Sequence, residues 1–153
     1  MPSFNAGGST RTPFGRNEFL RSVRDVKTES YTCAASTVPS QTIDGVSGQK
    51  ILQPGTVMSK ITSGAETGKV GPFTLEAGNT DGRKTAANIV GINDTFLPWQ
   101  LAERDVEIAV VYEAAIVGSR LIELDATGAW AAASAGTLTT LGTGTAVYEY
   151  RMK

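Results

Sequence analysis

The chain contains no histidine and a single cysteine among its 153 residues. Those two absences remove much of catalytic chemistry at once. The base that works near neutral pH, the histidine-activated serine or cysteine nucleophile and the cysteine-rich zinc site all need residues that are not here. One cysteine also allows no internal disulfide. Cys33, in ESYTCAAST, reads as a small, half-buried strand residue rather than a nucleophile, since nothing is present to activate it. Long apolar runs are missing too; none approaches the roughly 20 residues that cross a bilayer. The opening MPSFNAGGSTRTPFGR is polar and basic with no apolar stretch, so no secretory signal is expected and the protein reads as soluble. Net charge is nearly absent as well, −1 with an isoelectric point near 5.5, which argues against a general nucleic-acid binder.

Nucleotide and acid–base chemistry fare no better. No Gly-x-x-x-x-Gly-Lys-Ser/Thr loop occurs, and the two glycines of LGTGTAV complete no dinucleotide fingerprint. Asp94, Glu103, Asp105 and Glu107 form an acidic neighbourhood, but their spacing matches no calcium loop and reads as a solvated turn with local ion pairs. Ser59 and Lys60 are adjacent, and strand neighbours point to opposite faces, so they make no nucleophile–base pair. The expectation is a protein that is not an enzyme and holds no cofactor or metal.

What is present is a composition of 41% hydrophobic and 19% charged residues with 17 glycines, enough for one core and many turns. Charge is uneven: residues 1–27 carry five basic and two acidic groups, net +3, and residues 28–153 nine and thirteen, net −4. A basic arm therefore precedes a mildly acidic body. The arm is rich in Gly, Ser, Thr and Pro and is punctuated by Phe4 and Phe14; alone it cannot bury enough to order itself. In NEFLRSVRDVK, Phe19, Val23 and Val26 recur at helical spacing with Arg21 and Arg24 off that face, a short amphipathic helix that needs a partner. Phe4, Phe14, Arg16, Phe19, Leu20, Arg21, Val23 and Arg24 are the candidate docking residues of this arm.

From residue 28 the signals are β. Asp44-Gly45 is a tight-hairpin dipeptide, and Asp81-Gly82 offers a second turn. In ILQPGTVMSKIT, Pro54 pre-sets a turn and Gly55 supplies positive φ; beyond it Val57 and Ile61 face one way, Lys60 and Thr62 the other, as in a half-buried strand. GPFTLEAG sets Phe73 and Leu75 against Thr74 and Glu76. VEIAVVYEAAIV sets Val106, Ile108, Val110 and Tyr112 against Glu107 and Glu113, and VYEYRM alternates likewise. Residues 128–141 are alanine-rich and could include a short helix. The fold class is therefore mostly β with minor α: a small mixed barrel or sandwich. Trp99 and Trp130 fall on expected loops, where each suits either a core plug or an interface anchor.

The order of segments resembles the head decoration proteins of tailed bacteriophages, the lambda-type capsid cement family. The likeness lies in a Leu-x-x-Gly-Thr-Val-x-x-Lys-Ile-Thr strand, here Leu52, Gly55, Thr56, Val57, Lys60, Ile61 and Thr62. An Asp-Gly turn at Asp81 and Gly82, a Gly-Ile at Gly91 and Ile92, and the long strand VEIAVVYEAAIV follow. It covers about residues 28–124, and the arm is longer than the family's, with FGRNEFLRSVRDVK before the usual start. The resemblance implies a tulip-like β body with an extended N-terminal arm. It implies a structural protein of the virion that binds the expanded bacteriophage head as homotrimers at threefold and quasi-threefold positions. On the outer surface of the viral capsid, assembled in the host cytoplasm, its partners are the major capsid protein and itself, with no nucleic acid or membrane. It implies no cofactor, and Trp99 and Trp130 become candidate trimer or capsid contacts. Two alternatives stand beside it: another phage structural module, such as a tail or fibre component, and a small carbohydrate-binding β domain.

Overall fold

The computed structural model describes residues 19–20 and 26–142. Phe4, Phe14, Arg16, Arg21, Val23, Arg24 and the VYEYRM segment lie outside the described residues.

The fold is mostly β, as expected, and its centre is a closed five-stranded barrel. In chain order the strands are β1 (Lys27–Cys33), β2 (Gln41–Ile43), β3 (Val46–Gln49), β4 (Val57–Lys60), β5 (Val70–Pro72), β6 (Ile89–Asn93), β7 (Val106–Glu113), β8 (Ile122–Leu124) and β9 (Trp130–Ala132). A helix, α1 (Ala135–Gly142), follows in the alanine-rich stretch. The barrel runs β1-β5-β4-β6-β7, and β7 returns to β1 along an antiparallel ladder from Lys27–Glu113 to Cys33–Val106. β1 and β5 meet only at the parallel pair Cys33–Val70, reinforced by the Ala34 N–H donating to the Val70 carbonyl at 2.9 Å. Closure leaves this sheet no long free edge. β2–β3 and β8–β9 are separate two-stranded hairpins. The first turns on Asp44 and Gly45, both at positive φ, 51° and 79°, the primed turn that the Asp-Gly dipeptide favours.

Alternating side chains send one set of apolar residues inward and another outward. Cys33, Met58, Val70, Ile108 and Val110, one or more from each of β1, β4, β5 and β7, fill the interior with Val38, Leu52, Leu97 and Leu101. Val57 of β4, Ile89 and Ile92 of β6 and Val111 of β7 form a second layer roofed by Phe19, Phe73, Ile116, Leu121 and Leu141. β4 is thus buried on both faces at Val57, Met58 and Ser59, and only Lys60 emerges; the expectation of a half-buried strand is corrected by this second layer. A bulge makes both layers possible: Met58 pairs with Gly91 and Ser59 with Ile89, so Val90 has no opposite number. Gly91 sits at φ 150°, and a Cβ there would stand 2.2 Å from the Val111 carbonyl oxygen.

Three further expectations change. β5 ends at Pro72, so the expected alternation stops there: Phe73 is buried and Glu76 exposed as expected, but Thr74 is fully buried and Leu75 is 40% exposed. Asp81-Gly82 is a turn, with Gly82 at φ 96°, but it lies in the long connection from β5 to β6 and not in a tight hairpin. Phe19, read as a docking residue, is 1% exposed and belongs to the outer core, worth about 1.5–3 kcal/mol of burial. Its carbonyl accepts the Val117 N–H at 2.7 Å, and the half-buried Leu20 forms an antiparallel bridge with Ile116 rather than a turn of helix. Phe19 and Lys27, both on the arm side of the expected boundary, are parts of the body.

Polar groups complete the frame. Arg83 is buried; its Nε donates to Asp81 Oδ2 at 2.8 Å and its Nη1 to the Pro72 carbonyl at 3.0 Å. Asn93, fully buried, donates from Nδ2 to the Gln53 and Thr95 carbonyls and accepts the Thr95 N–H, tying the Pro54-Gly55 turn to the β6–β7 loop. Glu123 is 1% exposed, with Oε1 accepting the Ser134 N–H at 2.9 Å and Oε2 the Thr137 hydroxyl at 2.5 Å. Those bonds fasten the start of α1 to β8, and the positive end of a helix is a favourable place for a carboxylate.

Candidate interaction surface

The β6–β7 loop presents the largest exposed aromatic among the described residues. Leu97 and Leu101 are buried at 4% and 1%, and Trp99 between them is 49% exposed. Leu52 and Leu97 exchange both backbone hydrogen bonds, each 3.0 Å, so the loop is latched to the segment before the Pro54-Gly55 turn. A short 3-10 turn, Gln100–Ala102, holds the other side. An indole so presented loses little conformational freedom when a partner covers it, which is the economy of a binding anchor. Val46, 55% exposed beside the Asp44-Gly45 turn, and Leu75 are the other large apolar side chains left open.

Trp130 is placed differently. It is half-buried, packs against the barrel interior cluster, and lines a cleft of about 440 Å³ with Pro39, Ser40, Gln41, Thr127, Gly128 and Ala129. The two tryptophans therefore divide the readings offered for them: Trp99 has the exposure of an anchor, and Trp130 is largely a packing residue. Of the expected arm residues, Phe19 and Leu20 are brought into the body.

No catalytic constellation forms among the described residues. Ser59 is buried with its hydroxyl unpartnered, while Lys60 is exposed. Asp105 accepts the Ala35 N–H at 2.8 Å and Lys69 Nζ at 2.5 Å; Lys69 also pairs with Glu66. The Lys69 hydrogen bond, with the Ala35 N–H behind it, holds the Asp105 carboxyl below its ordinary range, which suits a structural bracket. Glu103 pairs with Arg104 at 3.8 Å on an open surface, the local ion pair expected there. Asp94 has a buried Oδ1 without a partner, and burial raises its carboxyl above the ordinary range. No group of three or more Cys, Asp or Glu side chains suited to a metal exists among the described residues. Burial at the end of β1 pushes the Cys33 thiol up to about 12, which makes it inert.

No family model, curated protein or solved structure matches this chain.

The cleft at Trp130 was not apparent from sequence, because its two walls come from segments far apart in the chain. One signal was available: Asp125-Ala126-Thr127-Gly128 has the spacing at which an aspartate caps its own turn. Asp125 Oδ1 does accept the Thr127 N–H at 2.8 Å, the Thr127 hydroxyl at 2.6 Å and the Ala129 N–H at 3.1 Å.

Proposed function

We propose that this chain is a capsid decoration protein. It binds the expanded bacteriophage head as trimers at threefold and quasi-threefold positions and stabilises the shell against the pressure of packaged DNA. The observation that carries the reading is Trp99, held half exposed on a loop latched by paired backbone hydrogen bonds, in a body with no catalytic grouping among its described residues. The motif that resembles the cement family supplies the latch, since Leu52 is the partner of Leu97. In this reading Trp99 meets the shell or a neighbouring copy, and residues 1–18, with Phe4, Phe14 and Arg16, meet the major capsid protein. A protein that binds only the expanded shell stabilises it by mass action, and three arms on one trimer raise the effective concentration.

The test is co-sedimentation of the purified protein with expanded, undecorated heads and with unexpanded proheads. Saturable binding to the expanded form alone is expected. Removing residues 1–18 is the appropriate truncation, because Phe19 and Lys27 belong to the body; the truncated protein should remain folded and lose head binding. Trp99→Ala should remain folded and bind roughly thirtyfold more weakly, the effect of about 2 kcal/mol at a hot spot. Equal binding to both forms, or to neither, refutes the reading.

A further inference from the structure

We infer that the cleft between the starts of β2 and β9 is a binding site for a neutral pyranose sugar, a role independent of attachment to a capsid. Its volume, about 440 Å³, lies in the range of small-molecule sites, roughly 300–1,000 Å³.

The lining selects the class of ligand. No ionisable side chain lines the cleft, so nothing there compensates the desolvation of a charged ligand. Trp130 is half-buried, yet its Nε1 is buried and has no hydrogen-bond partner, so the part of the ring open to solvent is carbon. An aromatic face carries partial negative charge and suits the flat, C–H-lined face of a pyranose ring.

Polar recognition comes from the neighbouring chain segments. Neither the Ser40 hydroxyl nor the Gln41 amide has a hydrogen-bond partner among the described residues. Together they offer donors and acceptors to sugar hydroxyls. The Thr127 hydroxyl spends its proton on Asp125 Oδ1, at 2.6 Å, and keeps its lone pairs as acceptors. The opposite wall is rigid before any ligand arrives, because Asp125 gathers the Thr127 and Ala129 N–H groups on one oxygen and Asp125 N–H bonds the Ala129 carbonyl at 2.8 Å. Partly open indole carbon flanked by neutral hydrogen-bonding groups matches a hexopyranose better than an ion, a nucleotide phosphate or a purely apolar molecule.

The experiment uses the full chain carrying Trp99→Phe, which leaves Trp130 as the only tryptophan. Its fluorescence is titrated with the methyl glycosides of glucose, galactose and mannose, and with sorbitol as a polyol that lacks a ring face. At least one glycoside should give a saturable change, and sorbitol none. Ser40→Ala and Gln41→Ala should each weaken that response about fivefold, the loss of one neutral hydrogen bond, without lowering the melting temperature. Neither residue is in the core, so folding does not confuse the result. The inference is overturned if no glycoside saturates below about 100 mM, a barely measurable affinity. An equal response to sorbitol, or an affinity unchanged in both variants, also overturns it. Head binding is measured separately, so failure here leaves the capsid reading intact.

Discussion

Replacing Gly91 with alanine should be the most damaging one-carbon change in the barrel. Gly91 lies on β6 at the bulge, at φ 150°, where its backbone passes against β7. A Cβ would stand 2.2 Å from the Val111 carbonyl oxygen, 2.8 Å from Val110 Cγ1 and 3.0 Å from the Val111 carbonyl carbon. Two of these three are backbone atoms of Val111 on β7, which is paired with Thr28 of β1 on one side and Ile92 of β6 on the other, so no side chain can rotate away to make room. Two costs add. Overpacking against a fixed neighbour is worth about 1–3 kcal/mol, and holding a non-glycine residue at this φ about 1–3 more. A total of roughly 2–6 kcal/mol is a large part of the 5–15 kcal/mol that holds a domain folded. For a chain of this size it corresponds to a melting temperature lower by roughly 4–24 °C. The control is Gly78→Ala, where a Cβ meets nothing within 4 Å and φ is ordinary. It should shift stability by less than about 0.5 kcal/mol, as exposed loop substitutions do. Urea unfolding followed by fluorescence reads both variants. If Gly91→Ala and Gly78→Ala unfold at the same midpoint, β6 does not press on β7 as described, and the bulge is not what permits the second layer.

Other outcomes follow from the polar frame. Arg83→Met should cost roughly 2–4 kcal/mol in urea unfolding, because the Pro72 carbonyl and Asp81 lose a buried charged donor; Arg83→Lys should recover little, lacking the fork that serves both acceptors. Glu123→Ala should cost roughly 2–4 kcal/mol by leaving the Ser134 N–H without its acceptor and the Thr137 hydroxyl with only Ser134 Oγ; hydrogen exchange in α1 should accelerate more than in β7, whereas Glu123→Gln should lose less. Acid should destabilise the fold. Burial tends to raise the Asp81 carboxyl, but the Arg83 N–H and guanidinium outweigh it and the net shift is downward. The Lys69 and Ala35 hydrogen bonds lower Asp105, and the Thr127 hydroxyl and N–H groups lower Asp125. For a depressed carboxyl the stabilisation is complete above the unfolded value, about 3.9, and is lost as pH falls through the folded value. Asp94, raised by burial, acts the other way, favouring the fold below its unfolded value and losing that contribution as pH rises through the folded one. With three depressed groups against one, the melting temperature should fall steadily below about pH 4; a flat profile down to pH 2.5 would contradict these pairings.

Local chemistry was the most legible part of the chain. Asp44-Gly45 can hardly be anything but a primed hairpin turn, and Gly55 after Pro54 takes φ 93°, as a turn leading into a strand requires. The long alternation of β7 identified Ile108 and Val110 as core. Alternation could not reveal that the other face was covered as well. Val57, Ile92 and Val111 are roofed by Phe73, Ile116, Leu121 and Leu141, a packing that depends on segments far apart in the chain. Leu75 misled for a related reason: β5 stops at Pro72, and Thr74 turns inward to a parallel bridge with Leu124 that no local pattern encodes. Phe19 looked like part of an arm because its neighbours are polar and basic, yet its partner at Val117 is almost a hundred residues away. Trp99 was recognisable as a residue of interest, but its exposure depends on the latch between Leu52 and Leu97, a tertiary contact.

The fastening at Phe19 also sets how the molecule bears load. Among the described residues the chain is first fastened at Phe19, whose ring is enclosed in the outer core and whose carbonyl holds the Val117 N–H at 2.7 Å. Gly55 packs against that ring, so the knot joins the start of the body, the Pro54-Gly55 turn and the segment after β7. Behind it stands the β1–β7 ladder, seven residues of β1 paired along almost the whole of β7. A pull on Phe19 is resisted by one buried ring and the hydrogen bond from Val117, whereas a pull on β1 is resisted by a whole ladder.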